Sequence, residues 1–264
     1  MTIKTQHAIG IFDSGIGGTS IWKEIHALLP NENTIYLADS INAPYGEKTK
    51  SEIIELCIKN TEFLLKKNCK IIVVACNTAT TNAIGYLRKN YTVPFIGIEP
   101  AIKPASLTTQ SNCIGILATK GTLNSDLFEK TSSKIGSNIE IVEQVGEGLV
   151  ELIEEGKIDS KKMDILLKKY TDPMLKKGID CLVLGCTHYP YLIPKLKKIV
   201  GNTVKIIDSG EAVARQTKAI LEKNHLIQIE NNNPNYQFFS NKNTTVLKNI
   251  LADYKKASVK YLDF

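Results

Sequence analysis

The sequence lacks the long apolar runs that cross membranes, and nothing in its 264 residues approaches the length of such a span. Its N-terminus, MTIKTQHAIGIF, has no hydrophobic signal core. It passes almost directly into a strand-like segment, so no cleavage and a cytoplasmic location are expected. The six cysteines form no CxxC pair, and without a secretion signal they are expected to be reduced thiols rather than a disulfide framework. Histidine occurs only four times, and His7, His26 and His225 lie outside the expected strand ends. No closed set of four zinc ligands can be assembled from these residues, so no metal is expected. The 33 basic residues outnumber the 27 acidic ones, for a net charge of +6, but they are scattered. Pairs such as Lys66-Lys67 and Lys161-Lys162 fall on expected helices as solvated faces. Aromatic residues do not interleave them, so no nucleic-acid platform is expected. The glycine-rich DSGIGGTS (13–20) lacks a Walker lysine and is out of register with G-x-G-x-x-G, which leaves nucleotide binding unsupported.

What the sequence does have is an alternation of apolar runs and amphipathic segments. Strands are expected at Ala8 to Phe12, Thr34 to Ala38, Lys70 to Ala75, Val93 to Ile98 and Thr203 to Ile207. Helices are expected from Ser20 to Leu29, from a Thr49/Glu52 capping box to Lys67, from about Thr80 to Asn90, and after DSGEA (208–212) to about Asn224. Residues 226–235 read as a polar loop, and YQFFS (236–240) with a helix-like Thr245 to Tyr254 closes the chain. The run at 70–75 is continuous rather than alternating, as in a parallel strand covered on both faces. This rhythm predicts an α/β fold with mostly parallel sheets.

The rhythm also restarts. IGIFDSG (9–15) returns as IGILATKG (114–121), offset by 105 residues, and IIVVACNT (71–78) returns as CLVLGCTH (181–188), offset by 110. Two junctions repeated in the same order indicate a duplicated α/β unit. Each half then carries one cysteine, Cys76 or Cys186, at the C-terminal end of a strand.

Ligands of open α/β sheets bind outside those carboxyl ends. The groups expected there are Asp13-Ser14-Gly15, Asp39-Ser40, Cys76-Asn77-Thr78, Cys186-Thr187-His188 and Asp208-Ser209-Gly210. The turn at DSGIGG reads either as an anion cradle at a helix N-terminus or as a tight turn that needs glycine. Cys57, Cys69, Cys113 and Cys181 read as core residues. For Cys76 and Cys186, a following helix could lower the thiol pKa. Cys186 with His188 also allows a Cys–His hydrolase, which leaves Cys76 and the second half without a role. Two thiols across a cleft can instead take a proton from one face of a carbon and return one to the other.

DSGIGG (13–18), NAPYG (42–46), ACNTAT (75–80), GCTHYP (185–190) and DSGEAVA (208–214) together resemble the glutamate racemases of bacterial cell-wall synthesis. These belong to the cofactor-independent aspartate/glutamate racemase superfamily, and the motifs follow its order from residue 8 to about 217. The resemblance implies two pseudo-symmetric α/β domains with the active site in the cleft between them. The first would comprise 1–97 plus 208–264, and the second 98–207. It implies Cys76 and Cys186 as the acid/base pair, serving the D- and L-enantiomer respectively, with Asp13 and His188 assisting. Ser14, Pro44, Tyr45, Gly46, Asn77, Thr78 and Thr187, with Asp13, His188 and Glu154, match substrate-binding positions. The chain departs from the family at Gly146-Glu147-Gly148, which leaves Glu154 and Glu155 as rival registers. The implied activity is interconversion of L- and D-glutamate for peptidoglycan synthesis, without cofactor, metal, nucleic acid or membrane, in a homodimer. Aspartate or another amino acid on the same scaffold is the enzymatic alternative. An amino-acid- or anion-binding protein is the non-enzymatic one.

Overall fold

The computed structural model describes residues 4–136, 138–230 and 233–264. The chain opens with β1 (Ile9–Asp13), α1 (Thr19–Leu28), β2 (Thr34–Ala38), a 3-10 turn at Tyr45–Glu47 and α2 (Lys50–Lys66). Next come β3 (Ile71–Val74), α3 (Asn77–Asn90), β4 (Phe95–Gly97) and α4 (Ile102–Thr108). The middle of the chain forms β5 (Cys113–Ala118), α5 (Lys120–Leu123), α6 (Asp126–Ser132), β6 (Glu140–Val145), α7 (Leu149–Glu154) and α8 (Lys161–Lys176). It continues with β7 (Cys181–Gly185), a 3-10 turn at Tyr189–Leu192, α9 (Ile193–Val200) and β8 (Lys205–Ile207). The last elements are α10 (Gly210–Lys223), β9 (Tyr236–Ser240), α11 (Thr245–Ile250) and β10 (Ala257–Tyr261).

The strands form two parallel sheets. The first has the order β10-β9-β2-β1-β3-β4 and the second β6-β5-β7-β8. The inner order β2-β1-β3-β4 of the first sheet is thus repeated in the second, as the duplicated motifs predict. In each sheet the strand that leads into Cys76 or Cys186 lies beside the strand that opens the half: β3 on β1, and β7 on β5.

Strand periodicity explains the core. Ile9 and Ile11 of β1 point into one apolar cluster with Trp22 of α1 and Val213 of α10, while Phe12 points to the other face with Ile53 of α2 and Ala83 of α3. Every residue of β1 and β3 is buried, because helices cover both faces. The first cluster continues into the second sheet through Ile16, Leu149, Ile153, Leu182 and Tyr189, so apolar contact joins the two layers. A third cluster lies on the far face of the second sheet, around Ile116, Val183 and Phe128.

Several boundaries differ from the sequence expectation for identifiable reasons. α3 begins at Asn77 rather than near Thr80, because the Cys76 sulfur accepts the Ala79 N–H at 3.4 Å and caps the helix. Cysteine is outside the usual N-cap set, so this start carries no sequence signal. The Thr49/Glu52 capping box forms as expected. β10 is absent from the sequence reading: ASVKY is a half-exposed edge strand that pairs with β9, and α11 ends at Ile250 rather than Tyr254. Within the expected polar loop, residues 231–232 lie outside the described residues. Among the described residues no helix is long and apolar enough to cross a membrane.

Candidate active site

The strand ends of both sheets converge on one small cavity. Cys76 follows β3 and Cys186 follows β7, and both line it. Around them stand Ser14 from the end of β1, Pro44, Tyr45 and Gly46 from the loop after β2, Asn77 and Thr78 from the start of α3, and Thr187 and His188. The space open to a water-sized sphere is about 10 Å³, enough for roughly one water molecule. Cys76 is 5% exposed and Cys186 7%. All six cysteines are free thiols.

Each thiol has its own polar neighbourhood. The Cys76 sulfur lies 3.6 Å from Ser14 Oγ and accepts the Ala79 N–H, so a thiolate there would face the positive end of α3. Burial, then the charge of Asp13, pushes the Cys76 thiol well up, outweighing those two hydrogen bonds. Cys186 Sγ lies 3.7 Å from His188 Nδ1. On its other nitrogen, His188 Nε2 is 2.6 Å from the Glu154 carboxylate, which also accepts the Ile16 N–H at 2.6 Å. Burial opposes a charged His188. Its hydrogen bonds to Cys186 and Glu154 and the field of Asp13 overcome that, and hold its pKa well above the usual 6.5. Glu154 is likewise desolvated, but its bond to His188 holds its pKa below the usual value. Both shifts favour the imidazolium–carboxylate form of the pair, and the other ring nitrogen, Nδ1, faces the Cys186 sulfur.

Two of the expected residues, Asp13 and Glu154, stand behind the cavity wall. Asp13 reaches it through Thr187, whose hydroxyl donates to Oδ1 at 3.3 Å, and Glu154 reaches it through His188. The glycine-rich turn is already occupied: Asp13 Oδ2 accepts the N–H groups of Gly15 at 3.1 Å and Gly18 at 2.9 Å, and Glu154 takes that of Ile16. The chain's own carboxylates therefore fill the cradle that the sequence left open to an external anion. The glycines make room for this arrangement, because a β-carbon at Gly15 would collide with Glu154 and one at Gly17 with His188. Of the two candidate registers, Glu154 faces the site, and Glu155 pairs with Lys157 at the surface.

Asn77 is buried, and neither Nδ2 nor Oδ1 has a hydrogen-bond partner. Such an amide costs about 1–3 kcal/mol, a cost that a polar ligand in the cavity would relieve. Two cavity residues, Thr119 and Val150, were not read from the sequence. Thr119 had a signal, since it lies 105 residues after Ser14 at the matching place in the repeat. Its hydroxyl is 2.8 Å from that of Thr78, across the two sheets. Val150 had none. Pro44, Gly46, Thr119 and Val150 also line a second cavity of about 690 Å³, so they form the partition between the inner space and an outer chamber. Among the described residues no group of three or more His, Cys, Asp or Glu is arranged to hold a metal ion.

The chain has close counterparts in sequence and fold among known proteins. A glutamate racemase from Ectopseudomonas mendocina is 45% identical over 225 residues, covering 85% of this chain and 86% of its own. The structure of glutamate racemase isoform RacE1 from Bacillus anthracis superposes with a TM-score of 0.87 at 31% identity, over 98% of each chain. That of the Francisella tularensis glutamate racemase, solved with D-glutamate, gives 0.83 at 30% identity over 98% of this chain and 97% of its own. The family profile described as Asp/Glu/hydantoin racemase matches residues 9–217, a span that contains both cysteines and every residue of the cavity wall, and the chain belongs to that family.

Proposed function

We propose that the chain interconverts L- and D-glutamate through its two thiols, without a cofactor, and supplies D-glutamate for peptidoglycan. The observation that carries this is the pairing of Cys76 and Cys186, one from each sheet, on one cavity from which water is nearly excluded. Glutamate is proposed over other amino acids because the named relatives that match most of the chain are glutamate racemases. The chain is read as two units, 1–97 with 208–264 and 98–207, whose facing strand ends form the site.

In the L-to-D direction the Cys186 thiolate takes the α-proton, and the electron pair passes to the α-carbon and its carboxylate. The Cys76 thiol then gives a proton to the opposite face. Cys186 ends as a thiol and Cys76 as a thiolate, and the D-to-L direction runs the same transfers backward. His188, held by Glu154, stabilises the thiolate of Cys186. The α3 N-terminus and Ser14 do so for Cys76. Asn77, Thr78 and Thr187, with the loop at 44–46, hold the carboxylates, and hydrogen bonds to the α-carboxylate stabilise the carbanion.

The test is proton exchange. Either enantiomer in heavy water should lose its α-proton signal and its optical rotation in the presence of the protein. Serine at Cys76 or at Cys186 should lower racemisation by several orders of magnitude. Wild-type rates in either variant would end the two-thiol reading, and no exchange by the unaltered chain would end the racemase reading.

A further inference from the structure

The loop that brings Pro44, Tyr45 and Gly46 to the cavity is held from behind by one buried carboxylate. Asp39, at the end of β2, is 1% exposed. It accepts the Tyr45 hydroxyl at 2.5 Å, Asn42 Nδ2 at 2.8 Å and Asn241 Nδ2 at 2.6 Å. Asn60 Nδ2 of α2 donates to the same Tyr45 oxygen at 3.2 Å. The Tyr45 side chain, which also lines the thiol cavity, is thus the loop's anchor.

Asn241 is the unexpected member. It follows β9, some two hundred positions from the loop, and is 4% exposed. The β2–β9 register pairs Ala38 with Ser240, so the next residues, Asp39 and Asn241, stand side by side. Asn241 uses both ends of its amide: Nδ2 donates to Asp39, and Oδ1 accepts the Ile41 N–H at 3.0 Å. One side chain therefore fixes both the carboxylate that anchors the loop and the loop's own backbone.

We infer that Asn241 is a positioning residue for the substrate loop, through which the C-terminal segment sets the placement of Pro44 to Gly46. The inference rests on the reading that this loop contacts substrate. A loop displaced by a fraction of an ångström weakens binding before it alters the thiols.

Steady-state kinetics of Asn241→Ala and Asn241→Ser test it. The bond to a charged acceptor is worth enough for KM for glutamate to rise by roughly tenfold in Asn241→Ala, with a smaller rise in Asn241→Ser and kcat nearly unchanged in both. A merely structural role would reduce the amount of folded enzyme, lowering kcat at constant KM, and that result or an unchanged KM overturns the inference. If Asn241→Ala does not fold, Asn241→Ser carries the test alone. Combining Asn241→Ser with Tyr45→Phe should raise KM by less than the product of the single effects, since both act through Asp39; a fully multiplicative rise counts against the inference. A wild-type chain that does not exchange the α-proton removes the functional reading itself. A wild-type chain that racemises beside Asn241 variants with its KM removes only this one.

Discussion

Glu154 and Glu155 are neighbours in sequence with opposite fates, and the difference is one of helical direction. Glu154 ends α7 facing the inner wall, while Glu155 meets Lys157 in solvent. Their relative roles were illegible in the sequence, because Gly146 to Gly148 blurs the start of the helix. The cysteines were legible because each ends an apolar run and each has a counterpart in the other half. Asn241 was not, since its role depends on a β2–β9 pairing that no local pattern announces. The Glu154–His188 pair makes a stability prediction. His188 has a raised pKa, so its contribution is complete below 6.5 and is lost as pH climbs through the raised value. Glu154 has a lowered pKa, so its contribution is complete above 4.5 and is lost as pH falls through the lowered value. The coupling between Glu154→Gln and His188→Gln, measured by chemical denaturation in a double-mutant cycle, should hold steady from 4.5 to 6.5 and decline at alkaline pH. A coupling that strengthens as pH rises would contradict the ion pair.

At the scale of elements, the partition between the two cavities is the sensitive part. The 3-10 turn at Tyr45–Glu47 meets α5 backbone to backbone. A β-carbon at Gly121 would come within 2.8 Å of Thr78 Cγ2 and 3.1 Å of Gly46 Cα. Gly121→Ala should therefore wedge the partition open at a stability cost of about 1–3 kcal/mol. The expected result is faster labelling of Cys76 by a thiol reagent, read by peptide mass spectrometry, and a kcat lower by roughly tenfold or more. Labelling and turnover both unchanged would show that the contact does not seal the site. This contact was hidden from the sequence, as were the edge strands β6 and β10. Their mixed polar composition gives no continuous apolar run, whereas β2, a fully buried strand, matched its expected limits. Helix starts were read correctly where a conventional cap exists, as at Thr49, and late where a thiol does that work.

For the whole molecule, the inner space of about 10 Å³ cannot hold an amino acid, so the two layers must part for each substrate to enter. Among the described residues the bonds that cross the mouth are local: Thr78 to Thr119 and, at 3.2 Å, to Thr122, Asn82 Nδ2 to the Gly121 carbonyl at 3.0 Å, and the exposed Lys50–Asp126 pair at 2.9 Å. An exposed pair of this kind contributes about 0–1 kcal/mol. Amide hydrogen exchange should thus be fast at 44–47 and 119–123 and slow in β1, β3, β5 and β7, with glutamate slowing the first group selectively. Uniform protection before and after glutamate would exclude local opening. The duplicated strand order was readable from two repeated junctions, but the sealing of one half against the other was not, since it depends on contacts between residues far apart in the chain. The seal has a consequence for bookkeeping of hydrogen. On the two-thiol reading, each turnover leaves the protein in a different protonation isomer, one suited to each enantiomer. In a space of about one water, the hydrogen lifted from substrate has no bath in which to equilibrate until the mouth opens. The isotopic content of the product then counts openings, and a chemical label becomes a clock for a movement of the chain.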